Sequence, residues 1–230
     1  MAQKVATVAL VHGAWADGSS WSKVITALHT KGIKAVTAPL PLTSFADDVS
    51  ALDRALERIE GPVVLAGHAY AGAVIGAIRN AAVQALVYVA ALAPAEGQTV
   101  ADVFYMNPPH PQAPGLAPDD HGLIWLPDEA FPAAFAPNAS AEDLAVLRAV
   151  QRPISPACIT VPVGRPLWRE IPSWYLVAEQ DRMIVAPTQR FMAERMTAQL
   201  RPHPVDHTPS ITAPDVVVGV LTEALQGATR

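Results

Sequence analysis

Apolar residues along this chain follow two alternating rhythms. Short, nearly continuous runs read as strands: VATVALV at 5–11, IKAVTA at 33–38, PVVLAG from 62 and ALVYVAA from 85. Runs without polar alternation are those of parallel strands covered on both faces. Between them the apolar positions switch to helical spacing. Trp21, Val24, Ile25 and Leu28 form one such face, and Val49, Leu52, Leu56 and Ile59 another. Ser44 with Asp47 opens the second helix as a capping box.

The rhythm breaks near residue 93. From there to about 170 the chain is rich in proline and shows no strand–helix repeat. One helix is expected inside, from Ala141 to Gln151, capped by Ser140 with Asp143. A strand returns at PSWYLVAE, 172–179. A helix around Gln189 to Met196 follows, then a short strand at HPV, 203–205. The last helix, capped by Thr212, turns Val216, Val217, Val220 and Leu221 inward.

This alternation predicts an α/β protein with a doubly wound sheet of about six mostly parallel strands, flanked by helices. The 230 residues suit one domain, 1–230, with an insertion at about 93–170. Such an insertion sits over the C-terminal ends of the strands, where ligands bind in sheets of this kind. Segments this long are usually lids or disordered. Phe104, Trp125, Phe131, Phe135 and Trp168 favour a packed helical lid.

Composition narrows the function. Hydrophobic residues make up 51% and charged residues 16%, a globular balance. The net charge of −5, without a Lys/Arg cluster, argues against nucleic acid or an anionic membrane as partner. Cys158 is the single cysteine, so neither an internal disulfide nor a thiolate metal site is expected. No H-x-x-x-H spacing suggests a metal. The opening MAQKVATVALVHG lacks a charged segment followed by a long apolar one and a cleavage site. The expectation is a cytoplasmic protein, monomeric or homodimeric, with a small-molecule partner and no cofactor.

The chemistry concentrates in three places. Gly67-His68-Ala69-Tyr70-Ala71-Gly72 follows an apolar run and leads into AVIGAI, a strand, a sharp turn and a helix. Asp181 follows WYLVAEQ, directly beyond a late strand, and His207 lies in VDHTPS, between the last strand and the last helix. Together with LVHGAWADGSSW and ALVYVAALAP, these stretches resemble the α/β-hydrolase superfamily. Within it they resemble the small branch containing plant methylesterases, hydroxynitrile lyases and related bacterial esterases. The likeness covers nearly the whole chain and is loosest in the 93–170 segment. It implies an α/β-hydrolase fold acting on a small carboxylic ester without cofactor or metal.

The resemblance also assigns roles. The turn corresponds to the nucleophile elbow, G-x-S-x-G, with the serine position occupied by Ala69. His207 corresponds to the base and Asp181 to the acid that orients it. The oxyanion donors would be the backbone N–H groups of Tyr70, at a helix N-terminus, and of Ala14, in the loop after the first strand. Trp15, Phe104 and Trp125 are candidates for the substrate pocket. Lyases of this branch carry a lysine after the base histidine; Thr208 stands here, against that chemistry.

Other readings of the same residues stay open. Glu179 competes with Asp181 as the acid, and His203 and Asp206 compete with His207. His12 and His68 read as structural neighbours of the elbow, His110 and His121 as surface groups, and Cys158 as a buried residue. The alanine itself allows three readings. One is an inactivated, substrate-holding form of an ester hydrolase. Another is a natural enzyme in which His207 and Asp181 act as a general base, as a lyase, isomerase or cyclase. The third is a protein that only binds a small ligand in the same pocket.

Overall fold

A computed structural model describes residues 6–228; the run predicted as the first strand begins at 5, so its opening position lies outside them. Six strands form one sheet: β1 (Thr7–Val11), β2 (Ala35–Ala38), β3 (Val63–His68), β4 (Val83–Val89), β5 (Ser173–Ala178) and β6 (Gln199–His203). Their order is β2-β1-β3-β4-β5-β6, and every neighbouring pair is parallel. The crossovers carry α1 (Ser22–Thr30), α2 (Phe45–Leu56), α3 (Ala71–Ala77), α4 (Val100–Phe104), α5 (Ala141–Ala149) and α6 (Ala186–Arg195), and α7 (Pro209–Thr212) and α8 (Pro214–Ala228) follow β6.

Alternation along the strands builds two cores. Val8, Leu10, Val64 and Ala66 face Trp21, Val24 and Leu28 of the first crossover and Val217, Val220 and Leu221 of α8. Ala9, Val11, Val63 and Leu65 face the opposite side, which α2, α3 and the 93–170 segment cover. The chain leaves β1 toward one face and β3 toward the other. Because β1 and β3 are adjacent, the loops after them open a crevice at their C-terminal ends, the place where doubly wound sheets bind ligands.

Local signals explain most boundaries. Ser44 accepts a hydrogen bond from the Asp47 N–H and caps α2, and Ser140 does the same for α5 through Asp143. Two expectations need correction. The sixth strand runs over Gln199–His203 and not 203–205. It is a partly exposed edge, so its sequence, QLRPH, lacks the apolar signature, and Pro202 is tolerated there. Thr212 does not cap the last helix. It closes α7, and its hydroxyl donates to Asp206 at 2.6 Å, while α8 starts at Pro214.

The 93–170 segment carries α4, α5 and short helical turns at Phe131–Phe135, Pro156–Cys158 and Leu167–Arg169. Hydrogen bonds tie it to the loops at the strand ends. The Trp15 indole donates to the Ile124 carbonyl, Arg182 to that of Ala133 and Thr208 to that of Phe135, and the Asn138 N–H donates to Asp206.

Candidate active site

The turn between β3 and α3 is held in an unusual conformation. Ala69 has φ 48°, in the left-handed region that residues with a Cβ seldom occupy. Three backbone bonds hold it there. Its N–H donates to Val89 O at 3.3 Å, and its carbonyl accepts from Gly72 at 3.1 Å and Leu92 at 2.9 Å. The packing explains why Gly72 must be small: a Cβ there would lie 2.5 Å from the Leu92 carbonyl oxygen and 2.8 Å from the Ala91 Cβ. A Cβ on Gly13 would lie 3.0 Å from both the Ala69 Cβ and the His68 carbonyl oxygen. The loop after β1 is therefore pressed against the turn, and it carries Ala14 and Trp15 to the same place. Tyr70 immediately precedes α3, whose first-turn N–H groups have no acceptor inside the helix.

His207 and Asp181 meet beside this turn. The His207 Nδ1 lies 2.8 Å from Asp181 Oδ2, and both side chains are buried. A carboxylate oxygen accepts, so Nδ1 is the donor in this bond and Nε2 is the ring nitrogen left for other partners. Asp181 is fixed by three further donors: the N–H groups of Met183 at 2.7 Å and Ile184 at 2.9 Å, and the Gln189 amide at 2.8 Å. Gln189 is itself held through Ala178 N–H and Ile184 O. The competing groups are engaged elsewhere. Glu179 pairs with Arg190 near the surface. Asp206 accepts from Asn138, Thr208 and Thr212 and braces the loop that carries His207.

His68 supports the His207 backbone from behind. Its Nε2 donates to the His207 carbonyl at 2.7 Å, and the two rings lie 4.8 Å apart. Burial, and then the neighbouring His207, push its pKa down to about 3, so the ring is a neutral donor. His12 is held low by burial as well. Its Nδ1 donates to Gly13 O and its Nε2 accepts from Leu40 N–H, fixing the loop after β1.

A cavity of about 70 Å³ joins these parts. Ala14, Trp15, Ala69, Tyr70 and His207 line it from the sheet side, and Phe104, Leu116, Ile124 and Ile154 line it from the 93–170 segment. Trp125, expected in the pocket, is not there. It is 46% exposed, and its indole donates to Asp119. Adjacent residues of an extended stretch point to opposite sides; Ile124 takes the inner position and Trp125 the outer one.

Two groups escaped the sequence reading. No pattern in the sequence marks Gln189. A signal did exist for Asp48, which is four residues from Leu52 and eight from Leu56 and so lies on the apolar face of α2. Its carboxyl is fully buried and accepts from Tyr70 OH at 2.6 Å, Leu42 N–H at 2.7 Å and the Cys158 thiol at 3.5 Å. Burial raises the Asp48 pKa, and burial and Asp48 push the Cys158 thiol up to about 12, which leaves it unreactive. Among the described residues no group of three or more His, Cys, Asp or Glu side chains could hold a metal ion. Nor is any helix among them long and apolar enough to cross a membrane.

Comparison with known proteins agrees with this architecture. The family model described as "Alpha/beta hydrolase family" matches residues 8–220, and the chain belongs to that family. A curated relative, alpha/beta hydrolase nvfD of Aspergillus novofumigatus (strain IBT 16806), is 23% identical, over 94% of this chain and 95% of that protein. Among solved structures, polyneuridine aldehyde esterase superposes with a TM-score of 0.81 at 18% identity, covering 96% of this chain and 99% of that one. A pyrethroid hydrolase from Sphingobium faniae JZ-2 gives 0.79 at 22%, covering 96% and 98%. The methylesterase MES16 from Arabidopsis gives 0.79 at 17%, covering 97% and 100%. At these identities the likeness to the solved structures establishes the shared fold.

Proposed function

We propose that this alpha/beta hydrolase is an ester-hydrolase scaffold that binds a small, uncharged carboxylic ester and lacks only the attacking hydroxyl. The observation that carries this reading is convergence. The left-handed turn at Ala69, His207 with Asp181 behind it, and the loop bearing Ala14 meet at one apolar cavity, which Ala69, His207 and Ala14 line. Neighbours in fold that are named as esterases give the same direction.

In the parent reaction a hydroxyl at position 69 attacks the ester carbonyl. His207 Nε2 takes its proton and returns it to the leaving alcohol. Asp181 holds the ring, and the Ala14 and Tyr70 N–H groups receive the negative oxygen. Water then repeats the sequence on the acyl intermediate, and the acid leaves. Alanine offers no oxygen, so no acyl intermediate forms. Loss of the nucleophile from such a set costs about a millionfold in turnover, and roughly a thousandfold over water survives through binding and the oxyanion site. The 93–170 segment serves as the lid of this pocket, and no cofactor is required.

One observation favours a second reading. The Asp181–His207 pair is complete without a serine, with four donors converging on one buried carboxylate. A chain that only holds ligand needs no such pair. In this reading His207 removes a proton from carbon or oxygen of the ligand, and the oxyanion donors stabilise the enolate.

Initial rates on a panel of aryl esters, for the chain as it stands and for Ala69→Ser, decide between them. A gain of several orders of magnitude on introducing serine supports the ester-hydrolase reading. A folded Ala69→Ser protein with no gain removes it. An activity of the unaltered chain that disappears in His207→Ala would establish the second reading.

A further inference from the structure

A second, larger cavity adjoins the chamber beside Ala69 and His207. Its volume is about 350 Å³, against about 70 Å³ for the inner one. Phe104, Tyr105, Leu116 and Met183 line both, so these four side chains form a collar between them. Two of them are able to give way. Tyr105 is 61% exposed, and Met183 carries an unbranched, flexible side chain. Among the described residues no Asp, Glu, Lys or Arg lines either chamber. The outer one has one amide, Asn107, whose Nδ2 donates to Thr188 and whose carbonyl oxygen remains as an acceptor.

Size decides what this arrangement can hold. The inner volume is about 70 Å³, well below the roughly 300 Å³ or more of a site that encloses a whole drug-sized ligand, so it suits one compact half of an ester. The other half must pass the collar. We infer that the outer chamber is a second binding subsite, which takes the distal half of an elongated, uncharged ester. That ester is compact at its carbonyl end, bulky and apolar beyond the collar, and able to donate a hydrogen bond to Asn107 at its far end. The inference rests on the ester reading of the inner chamber for the identity of the carbonyl group alone.

The test uses ligands that cannot be cleaved. Two methyl ketones, each ending in a phenol, differ in the spacer between carbonyl and ring. The short one fits the inner chamber, and the long one reaches through the collar. Calorimetric titration of the unaltered chain is expected to show the long ketone binding roughly tenfold tighter or better. Gly115 lines the outer chamber and a Cβ there meets nothing within 4 Å, so Gly115→Phe adds a ring at this wall with no clash at its Cβ. This variant should abolish the advantage of the long ketone and leave the short one within about twofold. Ala113→Phe fills the same chamber from another position and serves if the first variant folds poorly.

Equal affinities of the two ketones for the unaltered chain overturn the proposal. So does a Gly115→Phe protein that weakens both ketones alike, which would make the outer chamber an entrance only. Failure of the ester reading is seen separately. If Ala69→Ser gains no esterase activity while the ketone pattern holds, the subsite stands and the ester is lost. If serine brings activity and the ketones bind alike, only the subsite falls.

Discussion

The two walls of the inner cavity are built by different means. The wall at the strand ends is a set of directed hydrogen bonds. Four donors fix Asp181, the Asp181 oxygen fixes the His207 ring, His68 fixes the His207 carbonyl, and three backbone bonds hold Ala69 in the left-handed region. The opposite wall is apolar packing from a proline-rich segment, where Phe104, Leu116, Ile124 and Ile154 touch the cavity. Hydrogen-bonded geometry fails when one partner is lost, because the other is left buried and unpaired. Apolar walls tolerate changes that conserve volume. Substitutions on the two sides should therefore differ in size and kind.

The largest effect is expected from Ala69→Ser, a gain of about a millionfold in ester turnover if the hydrogen-bonded wall lacks only its nucleophile. Within that active variant, Asp181→Asn should lower kcat by roughly ten-thousandfold, because an amide cannot hold His207 in the required tautomer. KM should change little, since the apolar wall is untouched; a KM effect of similar size would mean that Asp181 shapes the pocket.

Gly72→Ala tests the packing behind the turn. With its Cβ placed 2.5 Å from the Leu92 carbonyl oxygen, it should cost about 3 kcal/mol of stability in urea denaturation. An unchanged midpoint would refute the close approach of α3 to the chain after β4.

The pH dependence probes the same wall. His68 has an ordinary pKa of 6.5, and in the fold it is held near 3. Below pH 6.5 the unfolded chain therefore binds a proton that the folded chain does not. The contribution of His68 is complete above that pH and is lost as pH falls from 6.5 toward 3, at about 1.4 kcal/mol per pH unit. Denaturation between pH 7 and pH 4 measures the slope, which His68→Gln should flatten.

The smallest effect is expected on the other side. Trp125→Ala removes an exposed side chain outside the cavity, so stability should stay within about 0.5 kcal/mol and ester KM in the Ala69→Ser background should not move. A marked rise in KM would place Trp125 back in the pocket.

The degree to which these walls could be read in the sequence differs as well. Ala69, Asp181 and His207 stand where apolar runs stop, so the pattern of strands alone located them at one end of the sheet. The loop after β1 was marked in the same way by HGAW. In the 93–170 segment no period told Ile124 from Trp125, because a proline-rich extended stretch has no repeating face. The edge strand Gln199–His203 was shifted for a related reason: a strand paired on one side only carries little apolar signal.

The sequence by itself determined the succession of strands and helices along the chain, the glycine-flanked turn at Ala69, and the placing of Asp181 and His207 in two late loops. These follow from local periodicity and from the short reach between a strand end and the next residue. Tertiary structure alone decided that Gln189 anchors Asp181, that Asp48 meets Tyr70 and Cys158, and that a second chamber opens behind Phe104, Tyr105, Leu116 and Met183. Those contacts join residues from separate elements. They exist only when packed helices and loops bring distant parts of the chain within a few ångströms, and no local pattern encodes that distance.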